Sequence, residues 1–168
     1  DHSRVPLPLI DDVKHSDYIN ANYLDGYDGT PKSYIACQGP VPGTYQDFWR
    51  MIWQEKVSTV VMLTRLVEHG RTKCHQYWPD KSETYHEITV SNHKTEKFAD
   101  YAIRTFSKDT CIIFTQSGSK ETRQVQQFHF LVWPDKGVPR HATAVLGLRT
   151  KVRAKHKDCK SPLVVHCR

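Results

Sequence analysis

The sequence has 168 residues and a net charge of +6, with 24 Lys and Arg against 18 Asp and Glu. This length corresponds to one domain of ordinary size and excludes a chain of several full domains. With 38% hydrophobic and 25% charged residues, the composition is that of a globular protein rather than a disordered one. The basic balance favours an anionic partner, without saying whether that partner is nucleic acid, membrane or phosphate.

The cysteines and the apolar runs narrow the class of protein further. The five cysteines are scattered along the chain and odd in number, which is untypical of a disulfide framework and favours a reducing compartment. No apolar run approaches the roughly 20 residues of a membrane-spanning helix. Because no linker rich in Pro or Gly interrupts the sequence, we expect residues 1–168 to form one domain.

The first half of the sequence predicts a helix followed by a buried strand. Apolar residues recur at helical spacing from Tyr45 to Trp53, which favours a helix with one buried face. Thr44 stands at the expected N-cap, and Asp47 lies in the first turn, where a carboxylate suits the helix dipole. The β-branched run of residues 57–64 predicts a buried central strand.

After residue 80 the apolar pattern changes to a period of two. Tyr85, Ile88 and Val90 predict one strand, and further strands are expected at residues 101–105 and 111–115. Short turns would connect these strands.

The last third predicts a strand, a helix and a second strand. Residues 123–133 predict a strand with alternate apolar side chains on one face, and residues 143–155 predict a helix with a basic outer face. Residues 162–167 predict a final buried strand. Together the elements predict an α+β fold, with a mixed, largely antiparallel twisted sheet flanked by helices.

The final strand delivers His166 and Cys167 to its end. A thiol placed where a strand meets a loop can act as a nucleophile, because nearby cations or backbone N–H groups stabilise the thiolate. An inert buried thiol is the alternative, since cysteine is among the residues most often buried.

Asp135 is the second candidate for chemistry. It follows Trp133 and Pro134 in a segment with a second proline and a glycine, which could move as a rigid unit. An aspartate on such a loop can act as a general acid. A solvated turn is the alternative, because Pro-Asp-x-Gly is ordinary turn chemistry and Asp80 also follows a Trp-Pro pair.

Other classes of site have less support. The histidines and cysteines do not recur at zinc-binding spacing, and no glycine-rich nucleotide loop is present. The cations of residues 149–157 are explained more simply as a solvated helix face than as a nucleic-acid surface. We therefore expect no metal, no cofactor and no nucleic-acid partner, and a nucleic-acid-binding domain stays an alternative that rests on net charge alone.

Seven segments occur in an order known from one family. They are residues 1–5 (DHSRV), 17–23 (DYINANY), 34–40 (YIACQGP), 48–53 (FWRMIW), 73–80 (KCHQYWPD), 128–139 (FHFLVWPDKGVP) and 164–167 (VVHC). Together they resemble the protein tyrosine phosphatase family, and most of all its receptor-type catalytic domains. The resemblance extends along the whole chain.

The resemblance implies a mechanism that needs neither metal nor cofactor. Cys167 takes the position of the nucleophile that attacks the phosphorus of phosphotyrosine in a protein substrate. Asp135 takes the position of the general acid that protonates the phenolate and later acts as the base. Trp133 and Pro134 would shape the closing loop that carries this aspartate, and His166 would tune the thiol.

Two departures from the family pattern qualify the resemblance. The family continues after its cysteine into a phosphate-binding loop that ends in an arginine, whereas Arg168 directly follows Cys167 and cannot take that role. The sequence also begins after the family's loop whose tyrosine stacks on the substrate. We therefore expect residues 1–168 to be a partial catalytic domain, cut at both ends, with little or no activity by themselves.

Two expectations concern the parent protein. Its function is expected to be that of a protein-tyrosine-phosphatase, and a catalytically dead domain that binds phosphoproteins or a partner domain is the alternative. The receptor-type likeness predicts a location on the cytoplasmic side, as the intracellular domain of a single-pass membrane receptor. Its membrane span would then lie outside this stretch.

Overall fold

Twelve strands and two α-helices lie in the part of the chain that the computed structural model describes, which comprises residues 2–11, 13–106, 114–116, 119–134, 136–139 and 141–168. In chain order they are β1 (Ala21–Leu24), β2 (Tyr34–Cys37), α1 (Tyr45–Gln54), β3 (Thr59–Met62), β4 (Val67–Glu68), β5 (Arg71–Thr72), β6 (Ser82–Tyr85), β7 (Ile88–Lys97), β8 (Tyr101–Phe106), β9 (Phe114–Gln116), β10 (Ser119–Glu121), β11 (Val125–Phe130), α2 (Ala142–His156) and β12 (Leu163–His166). A short 3₁₀ helix, Pro42–Thr44, precedes α1.

Ten of the strands that the structure describes form one mixed sheet. Its order is β1-β2-β12-β3-β11-β8-β7-β9-β10, with β6 paired to β7. The strands β2, β12, β3 and β11 are parallel, whereas the pairs outside this central group are antiparallel. The α+β prediction is therefore confirmed, and the predicted central strand is β3, whose four residues are all buried.

The two helices cover opposite faces of the sheet. Alternate residues of β3 explain this arrangement, because side chains point to opposite faces along a strand. Val60 and Met62 lie in the core that contains α1, whereas Val61 lies in the core that contains Leu148 and Val152 of α2. The predicted helix at residues 143–155 is confirmed as α2, and its basic outer face is exposed.

Helix α1 forms where the apolar spacing predicts it, but its start differs in detail. Phe48 and Trp49 are buried as expected. Thr44 lies at the N-cap, yet its side chain makes no capping hydrogen bond to α1. Its hydroxyl instead exchanges hydrogen bonds with the backbone of Val41, because the preceding 3₁₀ helix ends at this residue.

Two predicted strand boundaries are wrong. Tyr85 and Ile88 lie on different strands, because a tight turn at His86, with a φ of 57°, separates β6 from β7. The strand predicted at residues 123–133 begins at Val125 and ends at Phe130. Of the strand predicted at residues 111–115, residues 111–113 lie outside the described residues. No helix in the described part of the chain combines the length and apolar character needed to cross a bilayer.

Candidate active site

The parallel strands bring two of the predicted site segments to the same edge of the sheet. Strands β12 and β11 both pair in parallel with β3, so their carboxyl ends lie at one edge. Cys167 follows β12 there and is exposed. Trp133 and Pro134 follow the end of β11, and both are half-buried. Ligand sites of parallel sheets commonly lie at the carboxyl ends of the strands.

The segment that leads to the predicted general acid is anchored at its start. The ring of Trp133 meets that of Phe130 edge-on, with centroids 6.2 Å apart, and packs into the core beneath α2. The backbone carbonyl of Leu131 accepts a hydrogen bond from Arg65 Nε, which reaches it from the loop after β3. Asp135 itself lies outside the described residues.

The backbone of Cys167 lies against the segment that follows β2. A Cβ atom at Gly39 would come within 2.7 Å of the Cys167 carbonyl oxygen and 2.8 Å of Cys74 Sγ. Only glycine fits this close approach, because any side chain would push the backbone of Cys167 away. The glycine of the 34–40 segment is therefore required for packing against the candidate nucleophile.

Exposure distinguishes Cys167 from the other cysteines that the structure describes. Burial raises the pKa of Cys74 to about 12, with a smaller contribution from the nearby Cys167. Burial likewise raises the pKa of Cys37 to about 12. These two thiols are therefore protonated at neutral pH, whereas Cys167 is exposed at the edge of the sheet.

His166 contacts Cys167 through the backbone. Its Nδ1 lies 3.0 Å from the Cys167 carbonyl oxygen, and its Nε2 lies 2.8 Å from the hydroxyl of Tyr77. Only 2% of the residue is exposed. Burial lowers the pKa of His166 to about 4, against an opposing effect of the hydrogen bond with Cys167, so the imidazole is neutral at neutral pH.

Residues that the sequence analysis missed extend this contact into the core. Tyr77 bonds to Gln127, and Gln127 in turn bonds to Arg104. Gln127 and His129 are buried polar residues at alternate positions of β11, a strand that also contains Gln126, so the polar residues themselves do not show in the sequence which of them is buried. Their partners could not be read from it, since Tyr77 is 50 positions from Gln127. No group of three or more potential metal ligands occurs among the described residues.

Comparison with known proteins decides the family. A family model described as protein-tyrosine phosphatase matches residues 1–168. The chain belongs to the protein-tyrosine phosphatase family. The resemblance carried by the seven sequence segments is thereby confirmed.

Several curated relatives of this phosphatase-family chain are receptor-type. It is 49% identical over 168 residues to receptor-type tyrosine-protein phosphatase F of Rattus norvegicus, 48% to that of Danio rerio and 49% to that of Homo sapiens. Each alignment covers 99% of this chain and 8% of the relative. The chain therefore spans a small part of the relatives it matches, and the roles of Cys167, Asp135, Trp133, Pro134 and His166 stay predictions.

Proposed function

We propose that the protein containing this chain hydrolyses phosphotyrosine in proteins, with Cys167 as the nucleophile. The supporting observation is the exposed cysteine at the carboxyl edge of the parallel strands, beside a buried neutral His166, in a member of the phosphatase family. The backbone of Cys167 is fixed on two sides, by the hydrogen bond from Nδ1 of His166 and by the close contact at Gly39. A nucleophile held in this way reacts without a large loss of conformational freedom.

The reaction proceeds in two displacements on phosphorus. The Cys167 thiolate forms an S–P bond while the bond from phosphorus to the phenolic oxygen breaks, and Asp135 gives its proton to that oxygen. Water then attacks the phosphorus of the cysteinyl phosphate, and Asp135 accepts a proton from this water. The S–P bond breaks, inorganic phosphate leaves, and the thiolate is restored.

Trp133 and Pro134 position the aspartate in this proposal. The packing of Trp133 on Phe130 and the bond from Arg65 to Leu131 hold the start of the segment to the core. In this proposal the anchored start supports a loop that closes over the substrate, as the family resemblance implies.

We further propose that this domain acts inside the cell, in a receptor-type protein whose membrane segment lies elsewhere. The relatives support this location, since they are named receptor-type phosphatases. Phosphotyrosine-containing proteins are the proposed partners.

The test is turnover of a phosphotyrosine peptide and of p-nitrophenyl phosphate by the intact phosphatase domain. We expect Cys167→Ser to abolish turnover, and Cys159→Ser, on the half-buried thiol that follows α2, to leave it unchanged. We expect Asp135→Ala to lower kcat by about 10²–10⁴-fold, the range of general acid–base catalysis. Asp80→Ala is the matched control, because the exposed Asp80 follows the same Trp-Pro pair and should tolerate the change.

Two outcomes would overturn the proposal. An intact domain that binds a phosphotyrosine peptide without hydrolysing it would be a phosphoprotein-binding domain. Turnover that survives Cys167→Ser would place the nucleophile elsewhere.

A further inference from the structure

We propose that Arg104 is a positioning residue for Cys167, because its guanidinium sets the direction of a hydrogen-bond chain that ends at the Cys167 carbonyl oxygen. The chain runs through Gln127, Tyr77 and His166. The proposal deepens the proposed function, on which it rests for its effect on turnover.

The contacts of this chain are short and continuous. Arg104 NH1 lies 2.8 Å from Gln127 Oε1, and Gln127 Nε2 lies 2.7 Å from the Tyr77 hydroxyl oxygen. The same hydroxyl lies 2.8 Å from His166 Nε2, and His166 Nδ1 lies 3.0 Å from the Cys167 carbonyl oxygen. Gln127, Tyr77 and His166 are each at most 2% exposed, so water cannot replace a missing partner.

The chemistry of the two end groups fixes every bond in one direction. A guanidinium has only donors, so the amide of Gln127 must present its oxygen to Arg104 and its N–H to Tyr77. The Tyr77 hydroxyl, which accepts that N–H, then donates its own hydrogen to Nε2 of His166. His166 is left as the neutral tautomer with hydrogen on Nδ1, which is the tautomer that the Cys167 carbonyl accepts from.

A second contact holds the guanidinium itself in place. Arg104 NH1 also lies 3.1 Å from Nδ1 of His129, whose Nε2 donates to the carbonyl oxygen of Thr64 at 2.7 Å. Burial lowers the pKa of His129 to about 4, and the charge of Arg104 contributes to this shift, so the imidazole is neutral and accepts from the guanidinium. The guanidinium lies over the ring of Trp78 at 4.3 Å.

If residue 104 carried no obligatory donor, the hydrogen bonds between Gln127, Tyr77 and His166 could all reverse their direction. The Gln127 amide could then turn over and accept from Tyr77, and His166 would have to donate from Nε2. Its Nδ1 would then face the Cys167 carbonyl oxygen with a lone pair, at a separation of 3.0 Å. Two acceptors at this distance repel, so the backbone of the nucleophile would lose one of its two fixed contacts.

Three variants of the intact phosphatase domain test the proposal. Arg104→Lys keeps a group that can only donate, and Arg104→Met removes it at similar length. Gln127→Glu replaces the amide with a carboxylate that, ionised beside the Arg104 guanidinium, can only accept. Arg123→Met is the matched control, because Arg123 also lies over a tryptophan, Trp53 at 3.5 Å, outside the hydrogen-bond chain. The readouts are the His166 tautomer, from ¹⁵N chemical shifts of its ring nitrogens, and kcat and KM for a phosphotyrosine peptide.

We expect the parent and Arg104→Lys to show hydrogen on Nδ1 of His166, and Arg104→Met to show a mixture of tautomers. Gln127→Glu should move the hydrogen to Nε2, because its carboxylate must accept from Tyr77. We expect kcat to fall about tenfold or more in Arg104→Met at nearly constant KM, since a misplaced nucleophile slows the chemical step. Arg104→Lys should stay within about threefold of the parent, and Arg123→Met should change neither readout.

An unchanged His166 tautomer in Arg104→Met, or in Gln127→Glu, would overturn the proposal. If Arg104→Met does not fold, the tautomer in Gln127→Glu decides alone. The NMR readout also distinguishes this proposal from the proposed function. A domain that shows no turnover, but whose His166 tautomer still responds to the variants, would overturn only the proposed function.

Discussion

Removal of the Tyr77 hydroxyl should destabilise the domain strongly, because that oxygen serves two buried partners. In Tyr77→Phe, the Nε2 donor of Gln127 and the Nε2 acceptor of His166 each lose a bond, of 2.7 and 2.8 Å. Both residues are at most 2% exposed, so water does not reach them. Each unsatisfied buried group costs about 1–3 kcal/mol, so the two together should cost about 2–6 kcal/mol.

Urea denaturation of the intact domain measures this loss. We expect the midpoint to fall with an unchanged m-value, and the melting temperature to fall by about 5–15 °C. Tyr85→Phe is the control, since the Tyr85 hydroxyl donates to Glu83 at 3.0 Å and water can replace it at that exposed carboxylate. That variant should stay within about 1 kcal/mol of the parent. A loss of less than about 0.5 kcal/mol in the free energy of unfolding of Tyr77→Phe would refute the reasoning. It would mean that the buried hydrogen bonds of Tyr77 contribute no net stability.

The remaining predictions concern pH and the contact behind the nucleophile. Burial lowers the pKa of both His129 and His166 to about 4, below the unfolded value near 6.5, so the unfolded state binds more protons between these values. The free energy of unfolding should therefore fall as the pH is lowered through this window, by about 2 kcal/mol for each histidine between pH 7 and pH 5. Urea titrations at the two pH values measure this loss. Gly39→Ala should lower kcat at least tenfold, because its Cβ would lie 2.7 Å from the Cys167 carbonyl oxygen, whereas Gly43→Ala, with nothing within 4 Å, should leave kcat unchanged.

Each of these two predictions has a contradicting result. His129→Gln stays neutral at all pH values, so it should lose about half of the pH dependence, and an undiminished dependence would show that buried histidines are not its source. Equal kcat values for the two alanine variants would show that the space at Gly39 does not position Cys167.

Where local pattern and tertiary packing agree, the sequence predicted the structure well. The apolar spacing around Phe48 and Trp49 predicted the buried face of α1. The β-branched run that contains Val60 and Val61 predicted the central strand, because a strand covered on both faces needs apolar residues at every position. The position of Cys167 at a strand end was likewise predicted from local sequence.

A turn without Gly, Asn or Asp caused one of the two errors in strand boundaries. Residues 85–90 read as one strand, because His86 and Glu87 carry no signal for a tight hairpin. His86 nevertheless adopts a φ of 57° there. Pairing of β6 with β7 outweighs the local preference of this residue.

The hydrogen-bond chain behind Cys167 could not have been predicted from one sequence. Arg104 lies in β8, an ordinary alternating strand, and its contact with Gln127 depends on the register between β8 and β11. The contact of Tyr77 with His166 joins residues 89 positions apart. Such partners follow from the sheet order, which local patterns do not specify.

The most direct test of the central claim is detection of a cysteinyl phosphate. The intact domain would be mixed with a phosphotyrosine peptide, quenched in acid within the first turnover, digested and analysed by mass spectrometry. The proposed function predicts a phosphoryl group on the peptide that contains Cys167. Release of phosphate from the substrate with no phosphoryl group on Cys167 at any quench time would contradict it.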